Sequence, residues 1–112
     1  MTAIARLEVI PIHEESLSGD IASAVDALDA FDVAYETTAT DTVIEAATAA
    51  EVFAAVRAAH DAVDGNRVIT SVEIDEQRNR DQHVDDRVAS VEAALGRPPR
   101  RERPREGRQP ST

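Results

Sequence analysis

Cysteine and lysine are both missing from this chain, and each absence excludes something different. Without Cys there is neither a disulfide framework nor a thiolate metal site. Without Lys, all 12 basic residues are Arg, and they stand against 22 acidic residues. Long apolar runs are missing too: nothing approaches bilayer-spanning length, and Met1-Thr2-Ala3-Ile4-Ala5-Arg6 has no basic head followed by an apolar stretch. A soluble, cytoplasmic protein with no membrane contact is expected. Enzyme signatures are equally sparse. There is no Gly-rich phosphate loop, no Ser in an elbow motif and no His-x-x-x-His, and His13, His60 and His83 fall on separate expected elements. No catalytic residues, no metal site and no cofactor are expected, and the sequence reads as a non-enzyme.

The charge that is present is unevenly placed. Residues 1–95 carry 6 Arg against 20 acids, a net charge of −14, whereas residues 97–112 carry 6 Arg against 2 acids, a net charge of +4. That much like charge destabilises a compact state at low ionic strength, and at about 1 M salt, where the Debye length falls to roughly 3 Å, the repulsion largely disappears. An acidic, Ala-rich body without Lys is the composition expected of a halophilic protein. It also argues against a nucleic-acid surface on the body, because phosphate binding relies on clustered cations.

Hydrophobic periods change along the chain in the order β-α-β-β-α-β. In Ala5–Ile12, Leu7 and Val9 alternate with Arg6 and Glu8, as in a strand with one buried face. The stripe Ile21, Ala24, Val25, Leu28 predicts a helix over Ser18–Ala30, with several N-cap candidates before it. Val33–Thr38 and Thr42–Ala46 read as a hairpin. Thr48 and Glu51 have capping-box spacing ahead of Val52, Val56, Ala59 and Val63, and Gly65 suits the end of that helix. A fourth strand, Arg67–Asp75, puts Val68, Thr70, Val72 and Ile74 on one face. A third helix, Asp81–Leu95, carries Val84, Val88, Val91 and Leu95 at helical spacing before Gly96 and Pro98. The fold class expected is α+β: a ferredoxin-like sandwich of a four-stranded antiparallel sheet with two helices on one face, plus a C-terminal helix, within residues 1–96. Residues 97–112 hold four of the five prolines and no apolar residue able to pack, and read as a disordered Arg/Pro-rich tail. Six Arg without interleaved aromatics are a weak nucleic-acid signal, so no nucleic-acid partner is expected.

Several segments taken in order resemble a known family. They are Leu7-Glu8-Val9-Ile10-Pro11-Ile12, Ser16-Leu17-Ser18, Tyr35-Glu36-Thr37, Thr42-Val43-Ile44-Glu45, Ala59-His60-Asp61-Ala62-Val63 and Arg67–Asp75 with Arg78. Together they are similar to the small thiamine-binding proteins of the MTH1187/YkoF-like family, over residues 4–95. The resemblance implies a ferredoxin-like protein that self-associates through its sheet into dimers or tetramers and binds thiamine or its hydroxymethylpyrimidine half without chemistry on it, as carrier or sensor. A structural or regulatory homo-oligomer that has lost the ligand is the alternative. The family usually has Gly where this chain has His13 and Asp41.

Thiamine carries a permanent thiazolium cation and an aminopyrimidine with donor and acceptor edges, so its site needs carboxylates or an aromatic face and hydroxyls. Ser16, Ser18, Tyr35, Thr37, Thr42, Glu45 and Asp75 are residues of the right types and are the candidate ligand-binding set. Each also has a plain structural use. Ser16 and Ser18 are helix-cap residues, Tyr35 suits a strand edge, and Thr37 and Thr42 have ordinary strand propensity. Glu45 inside a strand either faces a pocket or is paired at an interface. His60, Arg67 and Arg78 are read as structural.

Overall fold

The computed structural model describes residues 1–13 and 15–104. Strands β1 (Thr2–Pro11), β2 (Ala34–Thr37), β3 (Thr42–Ala46) and β4 (Val68–Gln77) form one antiparallel sheet in the order β2-β3-β1-β4. Helices α1 (Ser18–Ala27, continued by a 3-10 turn over Leu28–Ala30) and α2 (Ala49–Asp61) cover one face. This is the ferredoxin-like βαββαβ arrangement, and α3 (Val84–Leu95) follows it. The last eight residues of the expected tail lie outside the described residues, and residues 97–104 form neither helix nor strand.

The core follows from the alternation. Ala3, Ala5, Leu7 and Val9 of β1, with Ile44 and Ala46 of β3, bury their side chains against Ala24 and Leu28 from the α1 side and Val52, Ala55, Val56 and Ala59 of α2. Alanines on both surfaces let α2 lie close to the sheet. The capping arrangement at α2 is present, with the Glu51 N–H donating to Thr48 Oγ1 at 3.3 Å. At the same end the Ala49 N–H donates to Glu76 at 2.6 Å, and Glu76 is paired with Arg78 at 2.7 Å. The guanidinium first, and the amide after it, hold the Glu76 carboxyl below its ordinary value. His60 meets the Thr70 hydroxyl and so ties α2 to β4. Arg67, unlike Arg78, has no carboxylate partner among the described residues; its carbonyl accepts the Ile12 N–H at 3.0 Å.

The structure shifts the bounds of β2 and β4 by one or two residues, and its two larger departures from the sequence reading have one reason. Strand β1 begins at Thr2, not Ala5, and α3 begins at Val84, not Asp81. Thr2, Ala3, Ile4 and Ala5 are all buried, so the first half of β1 shows no alternation to read. Its second face is covered because the segment before α3 runs beside it: the Gln82 N–H donates to Thr2 Oγ1 at 2.7 Å, and Asp81 pairs with the Met1 amino group. His83 is the extended N-cap residue (φ −90°, ψ 162°). At the far end Gly96 takes the left-handed conformation (φ 81°) that only Gly adopts without strain, and its N–H closes on the Glu92 carbonyl at 2.8 Å.

Candidate functional site

The two neighbours of β1 have different reach. Strand β4 pairs with β1 as far as Pro11↔Val68, whereas β3 pairs only as far as Leu7↔Thr42 before the chain turns into the β2–β3 hairpin. Residues 8–11 of β1 therefore have no strand beside them on the β3 side, and the sheet has a notch there. Helix α1 roofs the notch through Leu17, Ile21, Ala24 and Leu28, and the hairpin turn 38–41 walls it, leaving a cavity of about 140 Å³.

Its chemistry is an apolar floor with a polar wall. Leu7 and Val9 form the floor; Thr37 and Thr42, the last and first residues of the two hairpin strands, stand beside it, with Thr42 buried. The turn is fixed by Thr38, whose hydroxyl accepts the Asp41 N–H at 3.2 Å and donates to Asp41 Oδ1 at 2.8 Å. Asp41 borders it in the turn, whereas Glu8, which the alternation of β1 places on the exposed face opposite Leu7 and Val9, borders it from the strand edge. Apart from Gly65 and Gly96, the described residues have negative φ, so neither His13 nor Asp41 stands where the backbone requires Gly.

The candidate residues separate into two groups on opposite faces of the sheet. Thr37 and Thr42 line the cavity, and Ser16 and Ser18 flank Leu17 at its edge. Leu17 itself is the N-cap position of α1; the Ser16 hydroxyl takes the Ser18 N–H at 3.4 Å and lies 3.0 Å from the Ser18 hydroxyl. Glu45 and Asp75 lie on the other face, in one cross-strand row with Ile4 between them. Both are engaged by α3. Glu45 accepts the Val84 N–H at 2.6 Å and meets His83 Nδ1 at 3.0 Å, and Asp75 pairs with Arg87 at 2.8 Å. Tyr35, at the β2 edge, donates its hydroxyl to Asp29, which raises the phenol's pKa first of all through that hydrogen bond.

A second, wider depression of about 430 Å³ lies on this face between β2, β3 and the start of α3, bordered by Glu36, Glu45, His83, Asp85 and Asp86. Among the described residues no three His, Asp or Glu side chains converge as a metal ion would require. Also among them, no helix is long and apolar enough to cross a membrane.

Helix α3 is held almost entirely by polar links, since none of its residues is buried. His83 is central to them. Its hydrogen bond to Glu45, with the charges of Glu45, Asp86 and Asp81, raises its pKa above 6.5. A raised folded-state pKa gives a contribution that is complete below the unfolded value and lost as pH rises through the folded one. Hydrogen exchange at α3 amides, corrected for the intrinsic rate, is therefore expected to lose protection as pH rises above the ordinary histidine range. In His83→Gln the profile is expected to be flat.

Asp41 and Leu17 are not legible in the sequence as site residues. The notch exists only because of where β3 stops against β1, a register relation that no local pattern encodes.

With this geometry, comparison with known proteins is decisive. Residues 5–92 match the family model described as thiamine-binding protein. The chain belongs to that family. A UPF0045 protein of Methanothermobacter thermautotrophicus is 41% identical over 96 residues, covering 81% of this chain and 97% of the relative. Among solved structures, a hypothetical protein from Methanocaldococcus jannascii superposes with a TM-score of 0.74 at 27% identity, over 80% of this chain and 95% of that one. A putative thiamine biosynthesis/salvage protein from Thermotoga maritima superposes with a TM-score of 0.70 at 16% identity, over 81% and 99%, a likeness of fold. The family is described by a binding activity and not by a reaction.

Proposed function

We propose that the protein binds thiamine or its hydroxymethylpyrimidine half, without acting on it, in the cavity between α1 and the β2–β3 hairpin, and that it works as a homo-oligomer in the cytoplasm of a salt-accumulating cell. The observation that carries the ligand assignment is the cavity's size and lining together. A space of about 140 Å³ is on the scale that holds a single six-membered aromatic ring. The aminopyrimidine is such a ring. Its apolar faces fit Leu7, Val9 and Leu28, while its donor and acceptor edges suit the threonine hydroxyls and the backbone of β1 that no strand pairs. Thr37 and Thr42, with Ser16 and Ser18 at the edge, are the proposed contacts. Glu45, Asp75 and Tyr35 are proposed instead to hold α3 and the turn after α1.

Self-association is supported by what α3 leaves uncovered. Its stripe Val88, Val91 and Leu95 is exposed, and Ile69 is exposed on the sheet face beyond it. A second copy of the chain is the proposed cover for these surfaces. One observation favours the alternative of an oligomer without ligand: neither Phe nor the single Tyr lines the cavity, so no aromatic ring stacks on an occupant.

The test is a thermal-shift series in molar salt with thiamine and hydroxymethylpyrimidine, with sedimentation velocity on the same samples. A ligand at about 100 times its Kd adds roughly 2.7 kcal/mol. A rise in melting temperature of about 10 °C or more and a species larger than the monomer are expected. No shift with either ligand, alongside an intact oligomer, would leave the scaffold reading in place.

A further inference from the structure

The two edges of the sheet are not alike. Edge strand β2 is four residues long and carries Glu36. Edge strand β4 is ten residues long, pairs with β1 without a bulge, and has neither Pro nor Lys to discourage a further strand. Among the described residues no strand meets its outer side.

Apolar side chains stand uncovered beside that edge on both faces of the sheet. On the helix side Val72 is exposed, and Phe53 is 59% exposed. Phe53 lies two turns before His60, which meets Thr70, and so on the flank of α2 that faces β4. On the open side Ile69 is exposed, as is Ile12, whose N–H continues the β1–β4 pairing by donating to the Arg67 carbonyl at 3.0 Å. Helix α3 heads for the same edge. Glu45 on β3 holds the Val84 N–H, and Asp75 on β4, two strands or about 10 Å across the sheet, holds Arg87. The 12 residues of α3 span about 18 Å, which leaves about 8 Å to pass beyond β4 with Val91 and Leu95 exposed.

Resting on the homo-oligomer reading above, we infer that two copies join their β4 edges antiparallel about a two-fold axis at Ser71, and that the end of each α3 lies on the open sheet face of the partner subunit. Antiparallel pairing about such an axis brings together only residues of the same face, so one β4 residue stands opposite itself. With Ser71 there, Val68 faces the partner's Ile74 and Thr70 faces the partner's Val72, in an apolar row that Phe53 flanks from above. On the open face Arg67, which has no carboxylate partner among the described residues, stands opposite the partner's Asp75. An axis at Val72 would set Val68 against the partner's Glu76, and one at Glu73 would oppose two carboxylates. The Ser71 axis also extends the row of Glu45, Ile4 and Asp75 into the partner's Arg67 and the partner's Ile12. Lying along that row, α3 brings Val91 and Leu95 onto the partner's Ile12 and the partner's Ile69. One axis therefore covers the apolar residues of both faces. Each body repels the other through its acidic excess, so the pairing is expected where salt screens it.

The absence of Cys makes a cross-linking test clean. Ser71→Cys sets two thiols opposite each other at the Cα separation of an antiparallel pair, about 4.5–5.5 Å, which a disulfide spans. Mild oxidation of the full chain in molar salt is expected to give a covalent dimer as the main species on a denaturing gel. Glu36→Cys, on the β2 edge, is expected to remain a single chain. By sedimentation, Leu95→Asp is expected to raise the dissociation constant of the assembly about tenfold or more, with an unchanged circular dichroism spectrum. An assembled wild type whose Ser71→Cys form cross-links no faster than Glu36→Cys would overturn the edge pairing and leave the homo-oligomer standing. Unchanged assembly of Leu95→Asp would overturn the contact of α3 with the partner. A wild type that sediments as a monomer in molar salt removes the homo-oligomer reading, and this arrangement with it.

Discussion

In dilute buffer the protein is expected to melt at least about 10 °C below its melting temperature in molar potassium chloride. The cause is the charge of residues 1–95, 20 acids against 6 Arg. The structure shows how little of it is neutralised. Among the described residues four carboxylates are paired with Arg: Arg6–Glu73 at 2.9 Å, Arg57–Asp61 at 3.7 Å, Arg78–Glu76 at 2.7 Å and Arg87–Asp75 at 2.8 Å. Three of them lie at the surface, where such pairs add little, and only the Glu76 carboxylate is largely covered. If each of the 14 charges in excess costs only about 0.2 kcal/mol at low ionic strength, the body loses roughly 3 kcal/mol, a large part of the stability of a domain this small.

The core has little in reserve against that loss. Its largest fully buried side chains are Leu28, Ile44, Val52 and Pro11, and alanines fill much of the rest. Circular dichroism melts from about 0.1 M to about 3 M salt give the comparison. Equal melting temperatures across that range would mean that the acidic surface serves solubility alone, and the halophilic reading would go with it.

Salt dependence is a property of composition, and composition is fully legible in a sequence. The fold was nearly as legible, because its signals are local. The alternation of Leu7 and Val9 with Arg6 and Glu8, the Thr48–Glu51 cap and the Gly96 stop each act within a few residues of where they are read. The site depends on relations of another range. Glu45 looked unusual as a carboxylate inside a strand, and it is. Its partners His83 and Val84 lie 38 and 39 residues further along the chain, so nothing near Glu45 announces them. Thr37 and Thr42 have the right chemistry for a ligand, but so has any threonine hairpin. Their shared cavity comes from the four residues by which β1 outruns β3. The same blindness hid the start of β1. A strand whose second face is covered by a segment eighty residues further along the chain shows no period of two.

Filling the cavity from the helix side is expected to abolish ligand binding and leave the fold in place. Ala24 is the residue to change. It is buried on the inner face of α1, 5% exposed, and forms part of the cavity wall opposite Leu7 and Val9. Ala24→Leu adds three carbons to a space that holds one ring, so the pyrimidine and the new side chain cannot occupy it together. Enlarging a side chain in a packed core commonly costs about 1–3 kcal/mol through strain, but here the added atoms enter empty volume and gain apolar contacts. The unligated variant is therefore expected to melt within a few degrees of the wild type, with an unchanged sedimentation coefficient. Affinity for thiamine and for hydroxymethylpyrimidine is expected to fall by more than about 100-fold, which removes the ligand-induced shift of roughly 2.7 kcal/mol. Wild-type affinity in a folded Ala24→Leu protein would place the ligand elsewhere. The depression of about 430 Å³ beside α3, where Glu45 meets His83, would then be the site to test next.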